Sequence, residues 1–147
     1  MHDSNDSYAI NVRIEKAKED IAPNTWAGEI EVLRDGIIAA TVDFYITDAE
    51  IYISDFTVVE NYEHKGYGKV MMALMKTFAR VYEKPIILYS IKEACGFYIR
   101  TGFLPLSHKK FKERLKIKPV LASKLSEYDL IWIPETIHKN KILEVFF

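Results

Sequence analysis

The most constraining feature of this chain is an abrupt change of period near its middle. Ile51 to Val59 is rich in β-branched and aromatic residues, as strands are. From Gly68 onward the apolar residues Val70, Met71, Leu74, Met75, Phe78, Ala79 and Tyr82 instead fall on one face of a helix. Pro85 closes that helix, and Ile86 to Ser90 forms a short apolar strand. Strand, glycine turn, helix and strand in this order make a crossover unit, whose two strands are expected to run parallel.

The flanking segments extend a sheet around that unit. Tyr8 to Ile14 alternates as a first strand. Ala27 to Leu33 and Gly36 to Tyr45 read as a hairpin, because Asp35-Gly36 favours a tight turn. Strands joined by such short links predict an antiparallel meander. A second short helix fits Glu93 to Arg100 with Gly102 past its end, and Tyr128 to Ile133 and Ile142 to Phe147 read as strands. Glu15 to Asn24 has room for a helical turn or two before Pro23. The class is therefore α/β or α+β, a mixed sheet with helices against it.

Length and composition narrow the function. At 147 residues the default is a single domain, residues 1–147. A formal charge of -1 argues against a protein built to cover phosphates over a long surface. The basic run from His108 to Lys118 reads first as a solvated face and second as an anion-binding patch. Phe111 alone offers stacking beside it, which ranks nucleic acid last among partners. The single cysteine, Cys95, permits no intramolecular disulfide and no thiolate metal cluster, and it reads as a small buried residue in a cytoplasmic protein. No histidine has metal-site spacing. The polar start, Met1 to Ser7, does not read as a signal peptide, and no run reads as long enough to cross a bilayer.

The turn before the helix carries the chemistry. Gly66 and Gly68 let the backbone bend closely, and the helix that begins there presents free N–H groups and a partial positive end. With Lys65 and Lys69 alongside, the turn suits a pyrophosphate as well as it suits a plain structural bend. It matches neither a Walker A loop nor the dinucleotide fingerprint, whose third glycine position is Met71 here.

Gly66-Tyr67-Gly68, followed by Ala94-x-x-Phe97-Tyr98-x-x-x-Gly102-Phe103, resembles the GCN5-related N-acetyltransferase (GNAT) family. The resemblance implies an acyl-CoA N-acyltransferase fold, with acetyl-CoA as co-substrate and an amine-bearing small molecule, peptide or protein as acceptor. By the same resemblance, the backbone of Val58 and Val59 meets the thioester and pantetheine, and His64, Lys65, Gly66, Tyr67, Gly68 and Lys69 form the pyrophosphate loop. Tyr98 matches the family tyrosine that faces the coenzyme sulfur. Three positions depart from the pattern: Glu63 stands where Gln or Arg is usual, Glu60 where proline is frequent, and Ile91 where asparagine is.

Direct transfer from a thioester to an amine needs the amine deprotonated, the reactants held together, the carbonyl oxygen stabilised and the leaving thiolate protonated. Tyr98 is the candidate acid, its ordinary phenol pKa of about 10 suiting a thiolate; a packed aromatic is the competing reading. Asp55 is the candidate base. Glu50 and water chains are alternatives, and strand alternation sets Asp55 opposite Ser54 and Phe56 unless a bulge intervenes. The competing function is a non-catalytic protein of the same fold that senses acyl-CoA or binds protein. Acceptor specificity is expected from Ile21 to Ala27 and Leu106 to Tyr128. The apolar Ile142 to Phe147 is expected to pair with this sheet or with that of a second copy, the feature that points to a homodimer.

Overall fold

The structure is a computed structural model, and it describes residues 7–17, 24–106 and 128–135. Seven strands form one sheet: β1 (Tyr8–Lys16), β2 (Trp26–Arg34), β3 (Ile37–Ile46), β4 (Ile51–Val58), β5 (Ile86–Tyr89), β6 (Leu104–Pro105) and β7 (Asp129–Trp132). Their order is β1-β2-β3-β4-β5-β7-β6. The first four strands run antiparallel in sequence order. Between β4 and β5 the chain crosses over through α1 (Tyr67–Tyr82), and these two strands are parallel. Helix α2 (Cys95–Arg100) follows β5 after a 3₁₀ turn over Lys92–Ala94. The sheet is mixed, as expected. Of the helical turn expected within Glu15 to Asn24, Glu15 and Lys16 belong instead to β1, and the rest up to Pro23, the basic run and the closing strand lie in segments 18–23, 107–127 and 136–147, outside the described residues.

Local chemistry accounts for the joints. Asp35 and Gly36 both have positive φ, 51° and 78°, which is the tight hairpin turn that Asp-Gly favours. Helix α1 ends at Glu83 in the left-handed region, where its N–H bonds back to Ala79 and Arg80 carbonyls before Pro85. Gly102, with φ of 103°, follows α2 in the same manner.

One sheet face carries the core. Ile30, Val42, Phe44, Ile46, Ile51 and Ile53 are buried there, against Met71, Met72, Met75 and Ala79 of α1. Phe44 meets Phe78 of α1 at 6.1 Å between ring centres. It lies across Gly28, where any Cβ would come within 2.2 Å of the ring. Both helices share this face: Lys76 of α1 donates to the Thr101 carbonyl at the end of α2, and Phe56 of β4 touches Phe97 and Tyr98. The opposite face carries Arg13, Glu29, Asp43 and Tyr45, and among the described residues no helix lies over it. No helix among the described residues is long and apolar enough to cross a membrane.

Candidate active site

Strand β4 changes character halfway along. Ile51, Tyr52 and Ile53 pair with Ile86, Ile87 and Leu88, and there the β4–β5 ladder ends. Beyond it the two strands stand apart around a cleft of about 330 Å³. Ser54, Asp55, Phe56, Tyr89, Ser90 and Tyr98 are among its walls.

On the other side of β4 the register slips by one residue. Asp43 faces Asp55 and Phe44 faces Ile53, so Ser54 is an extra residue, a β-bulge. Strict alternation would set Asp55 on the face of Ile51 and Ile53. The bulge inverts this: Phe56 and Val58 turn toward the helices, half-buried, while Asp55 and Thr57 are exposed. Thr57 Oγ1 donates to Asp55 Oδ2 at 3.2 Å.

The bulge also sorts the backbone groups. Val59 N–H donates to the Ala39 carbonyl at 2.9 Å, so it is committed to β3. Ladder bonding alternates in an antiparallel pair, which turns the N–H and C=O of Phe56 and Val58 the other way, toward the side that β5 has left. Of the two backbone positions expected at the thioester, Val58 turns its groups toward that side, as Phe56 does, and the N–H of Val59 is bonded to β3. Sequence alone gave no sign of this, because the orientation depends on the register with β3.

Tyr98 stands across the cleft from Asp55, 7% exposed. Phe56 and Phe103 meet its ring edge-on at 5.9 and 5.8 Å. Burial, with the charge of Asp55 second, pushes its phenol up to about 12. It is thus a more tightly held proton than the ordinary phenol expected from sequence. Among the described residues its hydroxyl has no hydrogen-bond partner, so the packing role with a backbone bond is not what these residues show. Glu50 lies at the opposite end of β4, its N–H bonded to Thr47 Oγ1 at 3.0 Å, and is not part of the cleft.

The glycine turn meets the upper end of the cleft. A Cβ on Gly68 would sit 3.4 Å from the Phe97 ring and 3.6 Å from Val58 Cγ2, which locates the start of α1 against β4 and α2. Gly66 caps the helix with φ of 90°, a conformation that disfavours any side chain. The first helical bond runs from Val70 N–H to the Gly66 carbonyl, and no side chain caps the end. The N–H groups of Tyr67, Gly68 and Lys69 therefore precede the ladder. His64, in the left-handed region at φ 61°, Lys65 and Lys69 are exposed around them. Tyr67 is buried and stacks edge-on against Tyr62 at 5.3 Å, so its side chain anchors the turn from within. Glu63 is exposed, and its N–H bonds to the Glu60 carbonyl at 3.2 Å, which takes that group out of the cradle.

Three comparisons place this architecture. The model of the acetyltransferase (GNAT) family matches residues 3–103, from before β1 through the end of the α2 motif, and the chain belongs to that family. It is 26% identical over 105 residues to an uncharacterized N-acetyltransferase of Oceanobacillus iheyensis, covering 70% of this chain and 56% of that protein. The chain thus spans little more than half the length of this curated relative. Among solved structures, it is similar to Tetrahymena GCN5, with a TM-score of 0.61 at 15% identity, covering 80% of this chain and 72% of that one. It is also similar to the Bacillus subtilis N-acetyltransferase YlbP, solved in complex with coenzyme A, with a TM-score of 0.55 at 16% identity, covering 75% and 70%. At these identities the likeness to the solved structures is one of fold.

Proposed function

We propose that this chain transfers an acetyl group from acetyl-CoA directly to a primary amine, with both reactants held together in the β4–β5 cleft. The observation that carries the reading is the splay itself: one cleft is lined by backbone of β4, by the Tyr98 phenol of α2 and by a carboxylate on the open face.

The residues present suit acetyl-CoA. The N–H groups of Tyr67, Gly68 and Lys69, at the positive end of a 16-residue helix, would hold the pyrophosphate, with Lys65 and Lys69 supplying charge and His64 beside them. Phe56 and Val58 offer main-chain groups to the pantetheine amides and thioester oxygen. When bound, acetyl-CoA supplies an acetyl thioester with a good leaving group. Asp55 takes a proton from the acceptor ammonium. Tyr98, kept protonated throughout the neutral range, gives one to the departing sulfur, and its tightly held proton moves as negative charge develops there. The acceptor is an amine on a small molecule, peptide or protein.

A thermal-shift titration tests the first half of the reading. A ligand bound only by the folded state stabilises it by about 2.7 kcal/mol at a hundredfold excess over its dissociation constant. Acetyl-CoA is therefore expected to raise the melting temperature, and thiol release with a panel of amines to follow. Absence of any shift at millimolar acetyl-CoA would sink the proposal. A shift without release to any amine would leave acyl-CoA sensing in its place.

A further inference from the structure

We infer that β1 is the surface through which two copies of this chain join, edge to edge and antiparallel, about a two-fold axis at Val12. The inference stands apart from the acyl-transfer reading, because β2 and β3 lie between β1 and the strand that bears the cleft.

Among the described residues β1 borders β2 alone. All of it pairs with β2 without a bulge, from Tyr8 opposite Arg34 to Lys16 opposite Trp26. Just beyond the two ends, Asp35 N–H donates to the Ser7 carbonyl at 2.9 Å and Ala17 N–H to the Thr25 carbonyl at 2.8 Å. Ladder bonds alternate along an antiparallel pair. The odd-numbered residues therefore direct their main-chain groups to β2, and Tyr8, Ile10, Val12, Ile14 and Lys16 turn theirs to the open edge. A long regular edge is a template for another strand unless a proline, a bulge or an inward charge blunts it. From Tyr8 to Ile14, β1 has none of the three.

The residues with outward main-chain groups also carry the apolar side chains. They point to the helix side of the sheet and continue the rows of Gly28, Ile30 and Val32. Helix α1 packs on β2 to β5, and β1 reaches past it. Tyr8 is 61% exposed, and Ile10 and Val12 are each 48% exposed.

The strand is its own complement, which makes a second copy the occupant. Outward groups meet only where even-numbered residues face even-numbered ones. A two-fold axis at Arg13 would set two guanidinium groups face to face, which is unfavourable. An axis at Val12, the middle residue of nine, pairs the whole strand. Ile10 then faces the partner's Ile14, Val12 faces the partner's Val12, and the apolar row from Val32 through Ile10 runs on into the partner. At each end the row alternates cation and ring. The Arg34 guanidinium lies 4.5 Å from the centre of the Tyr8 ring, Tyr8 faces the partner's Lys16, and Lys16 is already opposite Trp26 in its own chain. On the other face Asn11 meets the partner's Arg13 and Ala9 the partner's Glu15. No like charges are opposed, and Arg13 keeps its bond to Glu29. The contact is isologous, so it closes at two copies.

The test is the mass of the full chain by sedimentation, over a dilution series from about 1 mM to about 1 μM, a span that a weak or moderate dissociation constant would cross. The wild type is expected to pass from dimer to monomer within it. Val12→Lys brings two ammonium groups together at the axis and should leave a monomer throughout, with an unchanged circular dichroism spectrum. If Val12→Lys does not fold, Ile10→Lys, on the same exposed row, carries the same measurement. A second arm fixes the register. In a Cys95→Ser background, Val12→Cys should form a disulfide-linked dimer on mild oxidation, since facing Cα atoms in a hydrogen-bonded pair stand about 5.5 Å apart, within a disulfide's span. Arg13→Cys, which faces Asn11, should stay unlinked. A wild type that is monomeric throughout overturns the inference. So does a dimer that survives Val12→Lys, which would place the contact elsewhere, as at Ile142 to Phe147. Linkage at position 13 in preference to position 12 overturns the axis at Val12.

Discussion

From Ile51 to Ile53, strand β4 is paired on both sides, and its inward side chains are sealed against α1. From Asp55 to Val58 it is paired on one side only, and half of its side chains meet solvent. The two halves belong to one eight-residue strand. The first half spends its hydrogen bonds and apolar area on the fold. The second keeps main-chain groups in reserve, and only a strand already secured at its other end can leave them unpaired at low cost. Scaffold and site are here successive stretches of a single element.

Substitutions in the two halves should therefore fail in different ways. The largest effect is expected at the cleft. Tyr98→Phe should lower kcat by roughly 10²–10⁴-fold, the usual worth of general acid catalysis, while calorimetric affinity for acetyl-CoA changes little. Its phenol is pushed up to about 12, above the ordinary value near 10. The corresponding stability is present below about pH 10 and is lost as pH rises through the folded value. An absorbance titration of the nine tyrosines should accordingly lose its last component in Tyr98→Phe. Wild-type turnover in that variant, with chemistry rate-limiting, would remove Tyr98 from the mechanism.

In the paired half the effect should fall on stability. Ile53 is 4% exposed, and Ile53→Ala should cost about 2–4 kcal/mol by denaturant unfolding. The protein that remains folded should bind acetyl-CoA with nearly the wild-type affinity. A large loss of affinity in the folded fraction would mean that the two halves are coupled more tightly than their hydrogen bonding suggests.

The smallest effect is expected where the site meets solvent. Glu63 is exposed near the proposed pyrophosphate turn, and Glu63→Gln removes a like charge from it. Acetyl-CoA should bind about two- to threefold more tightly at low salt, with the gain fading as ionic strength rises. Affinity that is unchanged at low salt would place the carboxylate out of range of the ligand.

What the sequence could and could not reveal divides along the same strand. Local signals were legible: the Asp35-Gly36 hairpin, the apolar stripe of α1 and the glycine turn at its start. Each is set by neighbours within a few residues. The order of strand, turn, helix and strand was enough to make β4 and β5 parallel. A bulge in this strand was allowed for, but its place at Ser54 was not legible, because it is a property of how β4 lies against β3 and leaves no mark in its own composition. With the bulge went the direction in which the Phe56, Val58 and Val59 backbone groups turn. The two-residue strand Leu104–Pro105 was missed because it is too short to show a period. The acceptor side, expected from Ile21 to Ala27 and Leu106 to Tyr128, falls for the most part outside the described residues.

The bulge at Ser54 has a further consequence, one of parity. A strand turns alternate residues to alternate sides, so the residue count between two positions decides whether they look the same way. Ile53 and Phe56 are separated by an odd step and yet both face the helices, because one residue between them is uncounted by β3. No exchange of one amino acid for another at Ser54 alters that count. Counting Ser54 into the ladder, so that the bulge closed, would present Asp55 to the helices and Phe56 to the open face, carboxylate and ring trading places in one step, whereas deleting Ser54 would leave both facing as they do. The chemistry of the cleft is in this sense held by arithmetic. Its facing should survive many side chains at position 54, and even the loss of the position, but not a register in which that residue is paired.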